Sequence, residues 1–165
     1  MRPMSLQWPN NLWRPYDPET LGVKGADLLV GRTGLPGSYT PLMTVSERVL
    51  EAEVSLEEFA DQLAKQFASQ TGSAVRTHRA LSEEDAPSPG VSQTLTATLE
   101  VDGQTYDLRH VDLTVGTRDP DGQVTMVCFG LTCTAEQLSV VLPEFTYVVK
   151  SMSGEEETDQ PAGEN

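Results

Sequence analysis

The apolar positions change period along the chain, and each change marks an element. Leu56, Phe59, Ala60, Leu63, Ala64 and Phe67 recur three and four residues apart, one stripe of a 3.6-residue helix. Ser55 and Glu58 form an S-x-x-E capping box at its start, and Gly72 supplies a stop, so a helix is predicted over 56–71. After a polar loop at 82–90 the period becomes two. Val91, Gln93, Leu95, Ala97, Leu99 and Val101 alternate with Ser92, Thr94, Thr96, Thr98 and Glu100, which predicts a half-buried strand with a threonine-rich outer face. Asp102-Gly103 is a hairpin turn, and the return strand is predicted over Gln104–Val115. Its phase slips: Tyr106 and Leu108 are apolar at even numbers, then Val111, Leu113 and Val115 at odd ones. A β-bulge near Arg109–His110 would produce that slip. Asp119-Pro120-Asp121-Gly122 turns the chain into Val124–Leu131, a run apolar on both faces, as a central strand requires. Three antiparallel strands in sequence make a meander.

The flanks are less regular. Ala26–Arg32 and Leu42–Val49 are two short strands separated by a glycine-rich loop. Thr134-Ala135-Glu136-Gln137 is a second capping box, opening a helix through about Leu142. Pro143 is suited to a new first turn, and Phe145, Val148, Val149 and Met152 then recur at helical spacing. The β-branched pair Val148-Val149 leaves a strand as the alternative there. Residues 1–20 carry Pro3, Pro9, Pro15 and Pro18 around Trp8, Trp13 and Tyr16. The prolines forbid a central strand, while the aromatics are too costly to leave in water, so the segment should be pinned against the body. From Ser153 onward the chain has five acids, no base and no aromatic, and a disordered acidic tail is expected over 153–165. The sum is an α+β protein: one domain over 1–152, an antiparallel sheet with a C-terminal meander, flanked by two or three helices.

Charge narrows the range of functions. The chain has 165 residues, with 11 Lys and Arg against 25 Asp and Glu, a net charge of −14. Nucleic acid and anionic lipid surfaces both demand a positive field, so neither is an expected partner. No apolar run is long enough to span a bilayer. The first residues hold neither an apolar signal core nor a lipobox-type cysteine, and the expected location is the cytoplasm. If the apolar run around Cys128 and Cys133 is one straight strand, the two lie five steps apart on opposite faces, about 16 Å from each other and too far for a disulfide. Free thiols fit a reducing compartment.

Candidate chemistry is sparse. Gly31, Gly34 and Gly37 lack both the Walker ending and the Rossmann spacing, and they lead into a strand, so they read as a loop. His78 and His110 stand in no metal-binding spacing and read as ordinary histidines. Asp119–Gly122 lacks the third acid and the distal glutamate of a calcium loop. The neighbours of Cys128 and Cys133 offer no base, although Cys133 precedes a helix start, where a thiol can acidify. No catalytic residue, metal or cofactor is expected.

The element order carries a resemblance. A Pro-rich aromatic start, two strands, an amphipathic helix, a strand, a three-stranded meander and a closing helical segment follow one another. Leu42-Met43-Thr44-Val45-Ser46-Glu47 lies in the second strand, and Pro143-Glu144-Phe145 and Val148-Val149-Lys150-Ser151 stand at the end. Over roughly residues 5–152 the chain resembles the PsbP-like superfamily, the α/β sandwich shared by DcrB-like proteins, LpqN-like mycobacterial lipoproteins and Eag-type secretion chaperones. The closing pattern departs from the Ser-Phe common there, since Met152 follows Ser151.

The resemblance implies a non-enzymatic adaptor or chaperone for a protein partner, such as a secretion effector, and a homodimer would suit its size. The alternative is a small-molecule or lipid-binding module using the space between sheet and helices. If one layer of helices covers the bulky Val127, Phe129 and Leu131, then Val124, Met126 and Cys128 are left on the second face. Beside Thr94, Thr96 and Thr98 they would form an adaptable, mildly apolar partner surface.

Overall fold

A computed structural model describes residues 6–20, 23 and 25–157, with side chains through Met152. The chain lays down β1 (Trp13–Tyr16), β2 (Leu28–Arg32), β3 (Leu42–Leu50), α1 (Leu56–Thr71), β4 (Val75–Leu81), β5 (Gly90–Val101), β6 (Gln104–Arg118), β7 (Val124–Thr134) and α2 (Leu138–Glu157). The strands form one antiparallel sheet in the order β1-β2-β3-β7-β6-β5-β4. The run that is apolar on both faces, β7, lies fourth of the seven. This is the predicted α+β class, and the described residues hold two helices rather than three.

The helices take opposite faces. Leu56, Phe59, Ala60 and Leu63 of α1 pack on Val91, Val124, Met126 and Cys128. Val141, Phe145, Val148 and Val149 of α2 pack on Val30, Met43, Val45, Val111, Phe129, Leu131 and Cys133. Each face of β7 therefore carries a helix, and its alternate residues belong to two separate cores.

This arrangement accounts for the phase slip in β6, and it corrects the expected bulge. The registers of β5–β6 and β6–β7 run unbroken through Arg109 and His110. Leu108 faces α1, where it joins Phe67 and Leu95, while Val111 faces α2. The strand changes which helix it serves, with no extra residue inserted. A register irregularity does occur in β4, between Arg76 and His78.

Local signals set the ends. The Ser55–Glu58 box forms reciprocally, with Ser55 Oγ accepting from Glu58 N at 3.0 Å and Glu58 Oε1 accepting from Ser55 N at 3.0 Å. The β5–β6 hairpin turns on Asp102 and Gly103 at φ of 52° and 82°, the pair of left-handed residues that a tight two-residue hairpin needs. Thr134 and Gln137 also cap each other, Thr134 N donating to Gln137 Oε1 at 3.0 Å. From there α2 runs as one helix through Pro143, so Val148-Val149 is helical. Proline is tolerated here because the carbonyl it leaves free, that of Ser139, belongs to an exposed residue. The helical backbone continues to Glu157, into the segment expected to be a disordered tail; residues 158–165 lie outside the described residues.

The N-terminal segment is pinned as its aromatics require. β1 is an edge strand, the setting in which Pro15 costs no ladder bond. Trp13 is buried and its Nε1 donates to Glu144 Oε1 at 2.9 Å. Arg32 grips the same carboxylate with both Nε and Nη2 at 2.8 Å, joining β2 to α2.

Candidate functional site

The expected partner surface is not continuous. Val124, Met126 and Cys128 are buried under α1, with Met126 fully enclosed. Thr94 pairs with Val111, which pairs with Leu131, so Thr94, Thr96 and Thr98 lie on the α2 face. The expectation assumed a single helical layer; a helix on each face moves the two sets of residues apart.

The threonines nevertheless border an open area. α2 lies along β7 and packs toward β1 and β2, leaving β5 and β4 on the other side of its face bare. Thr94 and Thr96 are half-buried there, and Thr98, His78 and Ala80 are exposed. Val75, opposite Thr96 on the edge strand β4, is 65% exposed. Leu113, Val115 and Val127 are partly buried and continue this surface toward the α2 core.

The other face differs. Between α1 and the β2–β3 side lies a cleft of about 110 Å³ lined by Leu29, Thr44, Ser46, Arg48, Leu63, Gln66, Phe67, His110, Asp112 and Thr132, among others. A polar network runs along its inner wall. Asp112 Oδ1 lies 2.9 Å from His110 Nε2, and His110 Nδ1 lies 2.8 Å from Thr132 Oγ1. Gln93 Nε2 donates to Asp112 Oδ2 and to the Ala60 carbonyl, both at 3.0 Å, while Arg76 donates to Gln93 Oε1 and Asp61 Oδ1. Phe67 stacks on the imidazole with centroids 4.5 Å apart. Gly130 makes room for this wall, because a Cβ there would come within 2.9 Å of Thr44 Oγ1. His110 and Asp112 were readable only through their two-residue spacing, which puts both side chains on one face of a strand.

Hydroxyl, imidazole and carboxylate in line have the order of an activated nucleophile. Thr132 sits within β7, flanked by β3 and β6, so the local backbone donors serve the two ladders instead of converging on an oxyanion. The thiols are no better poised. Burial pushes Cys133 up to about 12, outweighing the nearby Arg109 charge, and burial raises Cys128 against the opposing charge of Arg48. Proximity to a helix start has not acidified Cys133. The described residues hold no group of three metal-ligating side chains.

Compared with protein-family profiles and with curated protein sequences, the chain finds no match in either. Among solved structures it resembles LpqN of Mycobacterium tuberculosis, a protein involved in cell envelope biogenesis, with a TM-score of 0.55. The likeness covers 90% of this chain and 83% of LpqN at 11% sequence identity. The fold is LpqN-like. At that identity the LpqN likeness carries the architecture alone, and any site must be argued from this chain's own residues.

Proposed function

We propose that the chain is a non-enzymatic binding module that receives a protein partner on the open half of its α2 face. One observation carries this reading: α2 leaves a surface bare around Thr94, Thr96 and Thr98, with Val75, Leu113, Val115 and Val127 at its margins. Partly exposed aliphatic groups among adaptable hydroxyls suit a protein surface, which needs apolar contact and hydrogen bonding together. The cleft on the other face, at about 110 Å³, falls below the roughly 300 Å³ of typical ligand pockets, which weighs against a lipid-sized ligand. Adaptor or chaperone service in the cytoplasm, for example to a secretion effector, is the finer form of the proposal. Two unpaired buried cysteines support the reducing compartment. The involvement of LpqN in envelope biogenesis leaves room for a binding role on this fold.

Site-specific photo-crosslinking tests the surface. A crosslinker at position 96 or 98 should yield a discrete adduct in the native cell, while one at Lys65 on α1 should not. An adduct of twice the chain mass would identify the partner as a second copy. Equal labelling at all three positions, or none at 96 and 98, would remove the proposed surface.

A further inference from the structure

The cleft beside α1 has a half-buried cation in its wall, whereas Arg14, Lys65, Arg118 and Lys150, which also reach no carboxylate among the described residues, are exposed. The chain carries 25 acidic residues against 11 basic ones. Arg32, Arg76, Arg79 and Arg109 each reach a carboxylate. Arg48, half-buried in the cleft wall on β3, pairs with no carboxylate among the described residues; its hydrogen bond is a long one, 3.3 Å from Nη2 to Gln66 Oε1. The acid nearest in the network, Asp112, already engages His110 through one oxygen and Gln93 through the other. A half-buried guanidinium in a partly enclosed recess, with an exposed glutamine opposite, has the chemistry to receive an oxoanion.

The rest of the lining defines what the anion is attached to. Ser46 stands beside Arg48 on the same face of β3, two residues away, and Gln66 lies across the cleft on α1. Leu42, Leu63 and Phe67 contribute apolar walls. A volume of about 110 Å³ is smaller than the roughly 150 Å³ cavity that accepts the six carbons of benzene, so about four to five non-hydrogen atoms fit inside and the rest of a ligand stands at the open side, by the exposed Gln66. We propose that this cleft binds a short-chain carboxylate, its head on Arg48 and Ser46 and its alkyl stem against Leu63 and Phe67. The site lies on the face opposite the partner surface and stands or falls separately from it.

Butyrate is the probe, titrated into the full chain while amide resonances are followed by NMR. Saturable shifts are expected at Ser46, Arg48 and Gln66 in the millimolar range, which is what so few ligand atoms can support. Arg48→Gln should weaken binding about tenfold, the loss of one charge-assisted hydrogen bond, with the dispersed wild-type spectrum retained. Arg118→Gln, a change in an arginine that donates to the carbonyls of Glu84 and Ala86, should leave the titration unchanged. The proposal is overturned if butyrate produces no saturable shift, or if Arg48→Gln binds as well as wild type. Inorganic phosphate binding as tightly as butyrate would also overturn it, because the alkyl stem would then contribute nothing.

Discussion

The two faces of the sheet are built on different terms. Under α2 the contact is dry: Val141, Phe145 and Val148 meet Met43, Val45, Phe129, Leu131 and Cys133, most of them fully enclosed. Under α1 an apolar patch around Phe59 and Met126 gives way to Gln93, Asp112, His110 and Thr114, which are hydrogen-bonded to one another or buried nearby. A dry interface is stabilised roughly in proportion to area and tolerates changes of detail. A polar interface contributes little net energy per bond but is costly when one partner is lost, so it specifies geometry more than it adds stability. The cleft and Arg48 are on the polar face. The dry face holds the fold together and leaves β4 and β5 free.

The contrast breaks most sharply at Phe145. It is completely buried at the centre of the dry layer, and Phe145→Ala removes both transfer energy and packing, at a cost of about 3–5 kcal/mol. That is a large share of the roughly 5–15 kcal/mol that holds a domain together. Urea unfolding should show a strongly lowered midpoint or loss of soluble protein. A variant of native stability would mean that α2 is not a core element.

How much of this was legible in the sequence depends on the face. Leu56 to Phe67, the Asp102-Gly103 turn and the Ser55–Glu58 box are local patterns, and the structure follows each of them; the Thr134–Gln137 box forms too, but it closes a turn ahead of α2, which starts at Leu138. The pairing of helix with face is not local. Val124, Met126 and Cys128 alternate with Val127, Phe129 and Leu131 in the sequence whichever helix covers which set, so an exposed second face and a second helix read alike. The slip between Leu108 and Val111 held the missing information. A strand apolar first on one face and then on the other is serving two layers, and a bulge was the simpler local reading. The polar wall was hidden for a related reason: His110 and Asp112 look like surface residues until Phe67 and Gln93 are known to cover them.

A smaller effect is expected at the junction between the dry face and the N-terminal segment. Glu144 joins Arg32 and Trp13, and the Arg32 hydrogen bonds hold its carboxyl below the usual range, against the opposing effect of burial. A carboxyl with a depressed folded pKa binds fewer protons folded than unfolded. Its stabilisation is therefore complete above the ordinary carboxylate pKa near 4.3 and is lost as pH falls through the folded value. Glu144→Gln strands a buried guanidinium and should cost toward the lower end of the about 3–5 kcal/mol seen for broken buried pairs, since both side chains retain some exposure. The difference in thermal midpoint between wild type and variant should be clear at pH 7 and shrink toward pH 3. A pH-independent difference would show that the pair contributes packing alone.

The smallest change has the opposite sign and addresses the polar face directly. Thr114 is 4% exposed, and its Oγ1 has no hydrogen-bond partner. It stands in the row Thr114–Cys128–Ser46 across β6, β7 and β3, where the adjacent group is the Cys128 thiol, a weak and poorly aligned partner for a hydroxyl. Burying a hydroxyl without a partner costs about 1–3 kcal/mol by the measure of protein mutants. Valine has nearly the same shape and favours strands, so Thr114→Val removes that penalty without opening a cavity. Stability should rise by about 1 kcal/mol, which in a chain of this length raises the thermal midpoint by about 2–4 °C. If the variant is instead destabilised, the hydroxyl has a partner, such as an ordered water reaching in from the cleft. The polar face would then be a hydrated layer continuous with the Arg48 recess.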